Sequence, residues 1–166
     1  MVMRQLVRDN RTHPIVRGHA EQAVAGVQAG ARPYEARAIY DWITRRCDYR
    51  HDPNGAEWLQ APWAVLACQI DQAIRPQLDC DDFTDLSLAM LESIGHVTAF
   101  NVVSQLPTRE FNHVYGLDYV GRDALRVDLV DAYRPRGAAI PEDTRSMIVD
   151  VNGGSVVPGP WWWWGR

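Results

Sequence analysis

One cysteine and one histidine stand out as residues whose types and positions could do chemistry together. Cys80 lies in Asp79-Cys80-Asp81-Asp82-Phe83, where an apolar stripe of helical spacing begins. Asp79 is a good N-cap, which places Cys80 in the first turn. A helix N-terminus carries partial positive charge and unpaired N–H groups. These favour a thiolate, and they can hold the oxyanion that forms when a thiolate attacks a carbonyl. The aspartates around the thiol oppose its ionisation, so a protonated histidine is needed to offset them. A lone cysteine is ordinarily a small buried hydrophobe. What sets Cys80 apart is the helix terminus and a base downstream.

That base is His113. It opens the run His113 to Val120 and shares a strand face with Tyr115, Leu117 and Tyr119, so its ring is expected to meet an apolar layer. His13, His19 and His51 lie upstream in helices or turns, and His96 has a ready role beside a helix C-terminus. A thiol–imidazole pair needs an acid to orient the ring. Alternation puts Leu125, Val127 and Leu129 on one face and continues to Asp131, which favours Asp131. Asp128, on the other face with Arg126, is the alternative, because a one-residue bulge exchanges the two.

The elements that must position these groups follow from periodicity. Ile15, Val16, Ala20, Ala23, Val24 and Val27 mark a helix from Pro14 to about Ala29, with Gly30 as its stop. Pro33 opens a second helix carrying Ala38, Ile39, Trp42 and Ile43. Positions 51–55 form a turn cluster. A third helix starts near Pro62 and carries Trp63, Val65, Leu66 and Ile70. The fourth bears Cys80, with Phe83, Leu86, Ala89, Met90 and Ile94 on one stripe and Gly95 as a left-handed cap. Val97 to Ser104, His113 to Val120 and Leu125 to Tyr133 read as strands, the last two joined through Gly121-Arg122-Asp123. Ser146 to Val151 adds another. Helices first and strands second predict an α+β fold, with an antiparallel sheet packed on helices.

These segments resemble a known family. Asp79 to Phe83 with Met90 to His96, Phe111 to Tyr115, and Arg126 to Ala132 resemble the cysteine, histidine and aspartate segments of the transglutaminase-like superfamily of papain-like cysteine hydrolases and transferases. Asp52 to Gly55 and Glu57 to Pro62 are similar to the phage- and prophage-encoded branch. The resemblance spans about residues 35–133 and implies a papain-like core with Cys80, His113 and Asp131 as the catalytic group. It further implies that Gln60 supplies a side-chain N–H to the oxyanion hole. Val127 and Leu78 depart from the tryptophan and glycine usual at their places. The reaction implied is attack on an amide or ester of a peptide or protein, resolved by water or an amine. No cofactor or metal is expected, and the aspartates of the first helical turn are read as complementing the helix dipole.

Length and composition set outer limits. The chain has 166 residues, which suits one domain, taken as 1–157 with a tail at 158–166. A net charge of -4 carries no basic surplus for nucleic acid, so no nucleic-acid partner is expected. No apolar run reaches the roughly 20 residues of a membrane span, and the N-terminus reads as no signal peptide. Cys47, Cys68 and Cys80 fit neither a disulfide framework nor a zinc pattern. Together these favour a cytoplasmic protein, with host cytoplasm or a virion as its setting. The tail contains Trp161, Trp162, Trp163 and Trp164 in a row. Such aromatic surface suits docking. It suggests a different role as well: a phage-type structural or assembly module, with a vestigial catalytic group, that binds a phage structural protein through the tryptophans.

Overall fold

The computed structural model describes residues 2–53, 58–105 and 110–153, and the backbone of 161–162. Three helices come first: α1 (Val2–Asn10), α2 (Pro14–Val24) and α3 (Arg32–Thr44). α2 stops earlier than its apolar pattern suggests, at Ala25, five residues before Gly30. Pro62 starts the short α4 (Pro62–Val65), which widens into a π-helical turn over Leu66–Ile70. A two-stranded parallel ribbon, β1 (Asp48–Tyr49) with β2 (Gln77–Leu78), ties α3 to the approach to Cys80.

The 14-residue α5 (Cys80–Ser93) is the central element. The Asp79 carboxylate accepts the Asp82 N–H at 3.3 Å, as its capping position predicts. Gly95 takes the left-handed conformation (φ 93°) just past the helix end. α5 is buried nearly all round, from Asp82 to Leu91, because α1, α2 and α3 cover one side and the sheet covers the other.

The sheet runs β6-β3-β4-β5-β7, from β3 (Thr98–Gln105), β4 (His113–Val120), β5 (Asp123–Val127), β6 (Asp143–Asp150) and β7 (Trp161–Trp162). Its first three pairings are antiparallel, while β7 lies parallel to β5. The rest of the tail, like residues 54–57 of the upstream segment, lies outside the described residues. Both sheet faces are apolar. Phe100, Val114 and Val127 join the helical core, and Ala99, Val103, Tyr115 and Leu117 form a second cluster on the opposite face. Gly116 brings β4 against α5: a Cβ there would lie 2.6 Å from Leu88 Cδ2. The architecture is α+β with helices packed on a sheet. Among the described residues no helix is long and apolar enough to cross a membrane.

Candidate active site

Cys80 begins α5 against the start of β4. The Thr84 hydroxyl joins the two elements, meeting the Cys80 carbonyl at 2.6 Å and the Val114 carbonyl at 3.2 Å. The Val114 backbone N–H approaches the Cys80 sulfur. The thiol thus sits against the residue next to His113, but no hydrogen bond joins thiol and imidazole in this structure. Burial, followed by the charges of Asp79 and Asp81, pushes the Cys80 thiol up to about 12. At neutral pH the Cys80 thiol is therefore protonated. Cys47 is buried, and burial pushes it up likewise to about 12, while Cys68 is exposed.

His113 is anchored through Nε2, which lies 2.8 Å from Oδ2 of Asp128. That leaves Nδ1 without a hydrogen bond among the described residues. The contact corrects the preference for Asp131. β5 ends at Val127, and residues 129–133 wind into a 3-10 helix, so the alternation that carried the reading to Asp131 is broken. The register matters too. Leu117 pairs with Arg126, so the face that His113 shares with Leu117 is the Arg126 face, and Asp128 is the next outward residue along it. The Asp131 carboxylate instead accepts from Arg134 at 2.6 Å and lies 3.6 Å from Arg126.

Asp128 is nearly sealed, its side chain 1% exposed. Burial by itself would raise its carboxyl, but the hydrogen bond and charge of His113, then Arg126, outweigh that and hold it below the usual range. Arg126 Nη2 reaches the same Oδ2 at 2.6 Å, and the Val130 N–H reaches Oδ1 at 3.2 Å. The Arg126 guanidinium stacks over Tyr115, 4.1 Å from the ring centroid. The Tyr115 hydroxyl donates to Asp143 at 2.6 Å and accepts from Asn101 at 2.6 Å. Arg126 had carried no assigned role in the sequence. Its visible signal was Arg126-Val127-Asp128, a cation and an acid two apart and so on one strand face.

Gln60 lies against the first turn of α5, but its amide is engaged. Its side-chain N–H groups reach Asp82 at 2.9 Å and the Gln77 carbonyl at 3.3 Å, and its carbonyl accepts from Gln69 at 2.8 Å. Its backbone N–H adds a bond to Asp82 at 2.7 Å. In this arrangement Gln60 braces Asp82 at the first turn of α5. Burial, opposed by the Gln60 bonds, pushes the Asp82 carboxyl up to about 6. Among the described residues no His, Cys, Asp or Glu group is arranged to hold a metal.

A cleft of about 550 Å³ opens between α3 and the β5 end, lined by Tyr40, Val127, Asp128, Asp131 and Ile140 among others. It touches the acid end of the imidazole pair; neither Cys80 nor His113 lines it. His96, read from the sequence as a helix-end residue, is buried: its Nδ1 lies 2.8 Å from Asp118 and its Nε2 3.2 Å from Glu35.

No family model matches this chain, and no curated protein matches it. One solved structure from Cytophaga hutchinsonii, described as a candidate cysteine protease, aligns over 89% of this chain with a TM-score of 0.51 and 14% identity. The alignment spans 53% of that longer chain. The likeness is one of fold: the chain has an α+β architecture consistent with the papain-like cysteine-protease fold.

Proposed function

We propose that the chain is a cysteine-nucleophile acyl hydrolase or acyl transferase of the transglutaminase-like kind, acting on an amide or ester of a peptide or protein. The observation that carries this reading is the His113 imidazole, fixed through Nε2 by Asp128 with Nδ1 open, one residue from Val114, whose backbone meets the Cys80 end of α5. Apo catalytic pairs are often loose and tighten when substrate binds. As they close, Nδ1 of His113 takes the Cys80 proton and the sulfur attacks the carbonyl carbon. The oxyanion forms at the unpaired N–H groups of the helix terminus, whose dipole favours it. The imidazolium returns its proton to the leaving group, which departs and leaves a thioester. Water then gives hydrolysis, or an amine gives transfer, with His113 again the base. Asp128 orients the ring throughout.

A second reading draws on the missing thiol–imidazole bond and on the cleft that does not reach the thiol. It takes the fold as a phage-type assembly module that docks through Trp161 to Trp164, in a virion or host cytoplasm. Iodoacetamide labelling across pH 5 to 9, read by peptide mass spectrometry, separates the two. Cys80 should outpace the exposed Cys68 between pH 7 and 8, and His113→Ala should remove at least about tenfold of that rate. If Cys80 labels no faster than Cys68, with or without His113, the nucleophile reading fails and the docking module stands.

A further inference from the structure

We propose that Arg126 is a positioning residue that keeps Asp128 ionised and aimed at Nε2 of His113, whatever charge the imidazole carries. The inference rests on the reading of His113 as the base. A carboxylate as buried as Asp128 needs a compensating charge. If His113 were its sole partner, the carboxylate would be stable mainly when the ring is a cation, and the ring would be held in that state. A base must instead be neutral before it takes the proton. Arg126 supplies the missing charge on the very oxygen that His113 uses, at 2.6 Å beside 2.8 Å.

The guanidinium is itself held on other sides. It stacks on Tyr115, and Nη1 lies 3.6 Å from Asp143, which also grips the Tyr115 hydroxyl. Arg126 can therefore not follow the imidazole when that ring moves toward the thiol. The charged and titratable groups around the pair are few and placed. Asp79 and Asp81 flank the thiol on α5, and Tyr49 faces it from β1. Tyr115 neighbours the ring on β4, Asp143 stands behind it on β6, Asp131 with Arg134 lies on the 3-10 turn, and Tyr40 faces Asp128 from α3. Among these, Arg126 is the cation that meets Asp128 directly.

The test is the pH profile of Cys80 alkylation in the full chain carrying Arg126→Gln, Arg126→Lys, Asp143→Asn, or Arg126→Gln combined with Asp128→Asn. Loss of the cation leaves Asp128 to hold His113 as an imidazolium, which favours the thiolate. In Arg126→Gln the profile should move acidward, raising the rate at pH 6 about tenfold, the equivalent of about one pH unit. Arg126→Lys keeps the charge but loses the planar stack on Tyr115, so it should shift the profile in the same direction by clearly less than Arg126→Gln. The combined variant should match Asp128→Asn alone. A profile in Arg126→Gln that superimposes on the parent overturns the proposal, as does an equal shift in the Asp128→Asn background. Where Arg126→Gln does not fold, Asp143→Asn should give a smaller shift of the same sign, and no shift overturns the proposal. Ring nitrogen shifts of His113, read by NMR, keep this test apart from the nucleophile reading. Even with Cys80 inert in every variant, an imidazolium that persists to higher pH in Arg126→Gln than in Arg126→Lys supports the role of Arg126. Identical ring titrations overturn it.

Discussion

Asp85 offers a perturbation whose size follows from the structure. It faces inward from the middle of α5, fully buried, and neither carboxyl oxygen has a hydrogen-bond partner among the described residues. Burial first, then the charges of Asp81, Asp82 and Asp79, push it from 3.8 up to about 9. Folding at neutral pH must therefore put a proton on this group. A carboxyl raised in the folded state binds its proton more tightly there than in the unfolded chain. Its stabilising contribution is thus complete below about pH 4 and is lost progressively as pH rises toward about 9. The loss runs at about 1.4 kcal/mol per pH unit, so it reaches about 1.5 kcal/mol at pH 5 and about 4 kcal/mol at pH 7. Asp85→Asn keeps the shape and needs no proton. Whatever constant offset the amide introduces by packing, the stability gap between variant and parent should widen by about 2.7 kcal/mol from pH 5 to pH 7 in favour of the variant. Urea unfolding of both proteins at the two pH values measures that gap. A gap that does not change between pH 5 and pH 7 would refute the reasoning, because Asp85 would then titrate alike in the folded and unfolded chain.

Three other substitutions probe the sheet and the carboxylates beside His113. Asp128→Asn should cut the His113-dependent labelling of Cys80 by about tenfold or more, since the ring loses its anionic anchor, whereas Asp131→Asn should leave the rate within about twofold. Equal losses in the two variants, measured side by side, would put the anchor in doubt. Gly116→Ala forces a methyl to within 2.6 Å of Leu88, itself fully buried. It should destabilise by about 1–3 kcal/mol, lowering the midpoint of thermal unfolding by roughly 2–4 °C per kcal/mol. An unchanged midpoint would mean that Leu88 has room to turn aside.

The local signals in the sequence were strong where a single element decides the outcome. Asp79 capping a helix at Cys80, the glycine stop at Gly95 and the strand from His113 to Val120 depend on neighbours in the chain, and periodicity reads neighbours well. β1 and β2 are two-residue strands joined across 28 intervening positions, from Asp48 to Gln77, and have no local signature. α1 carries only Met3 and Val7 as buried apolar residues, too thin a stripe to stand out. Asp131 was preferred over Asp128 for a topological reason. The reading matched the apolar face of β4 to the apolar face of β5, a sound step for a sheet with one buried side. Here both sides are buried, and the pairing of Leu117 with Arg126 sets the polar residues of β5 beside His113. Which face meets which is a property of the register, and a single strand does not carry it.

The buried His96 has a mechanical consequence. It stands just past the far end of α5 and bonds α3 through Glu35 and β4 through Asp118. Nearby, Arg11 of the α1 end bonds Glu92 at 3.0 Å. That end is tied to three elements at once. Cys80 lies at the other end of the same stiff rod, about 21 Å away for 14 residues. There the Thr84 hydroxyl grips the Val114 carbonyl at 3.2 Å, and Gln60 holds Asp82 by two bonds at 2.7 and 2.9 Å. A rod pinned at both ends sets the sulfur against β4 as a rigid part, so its position is fixed by contacts at both ends of the helix.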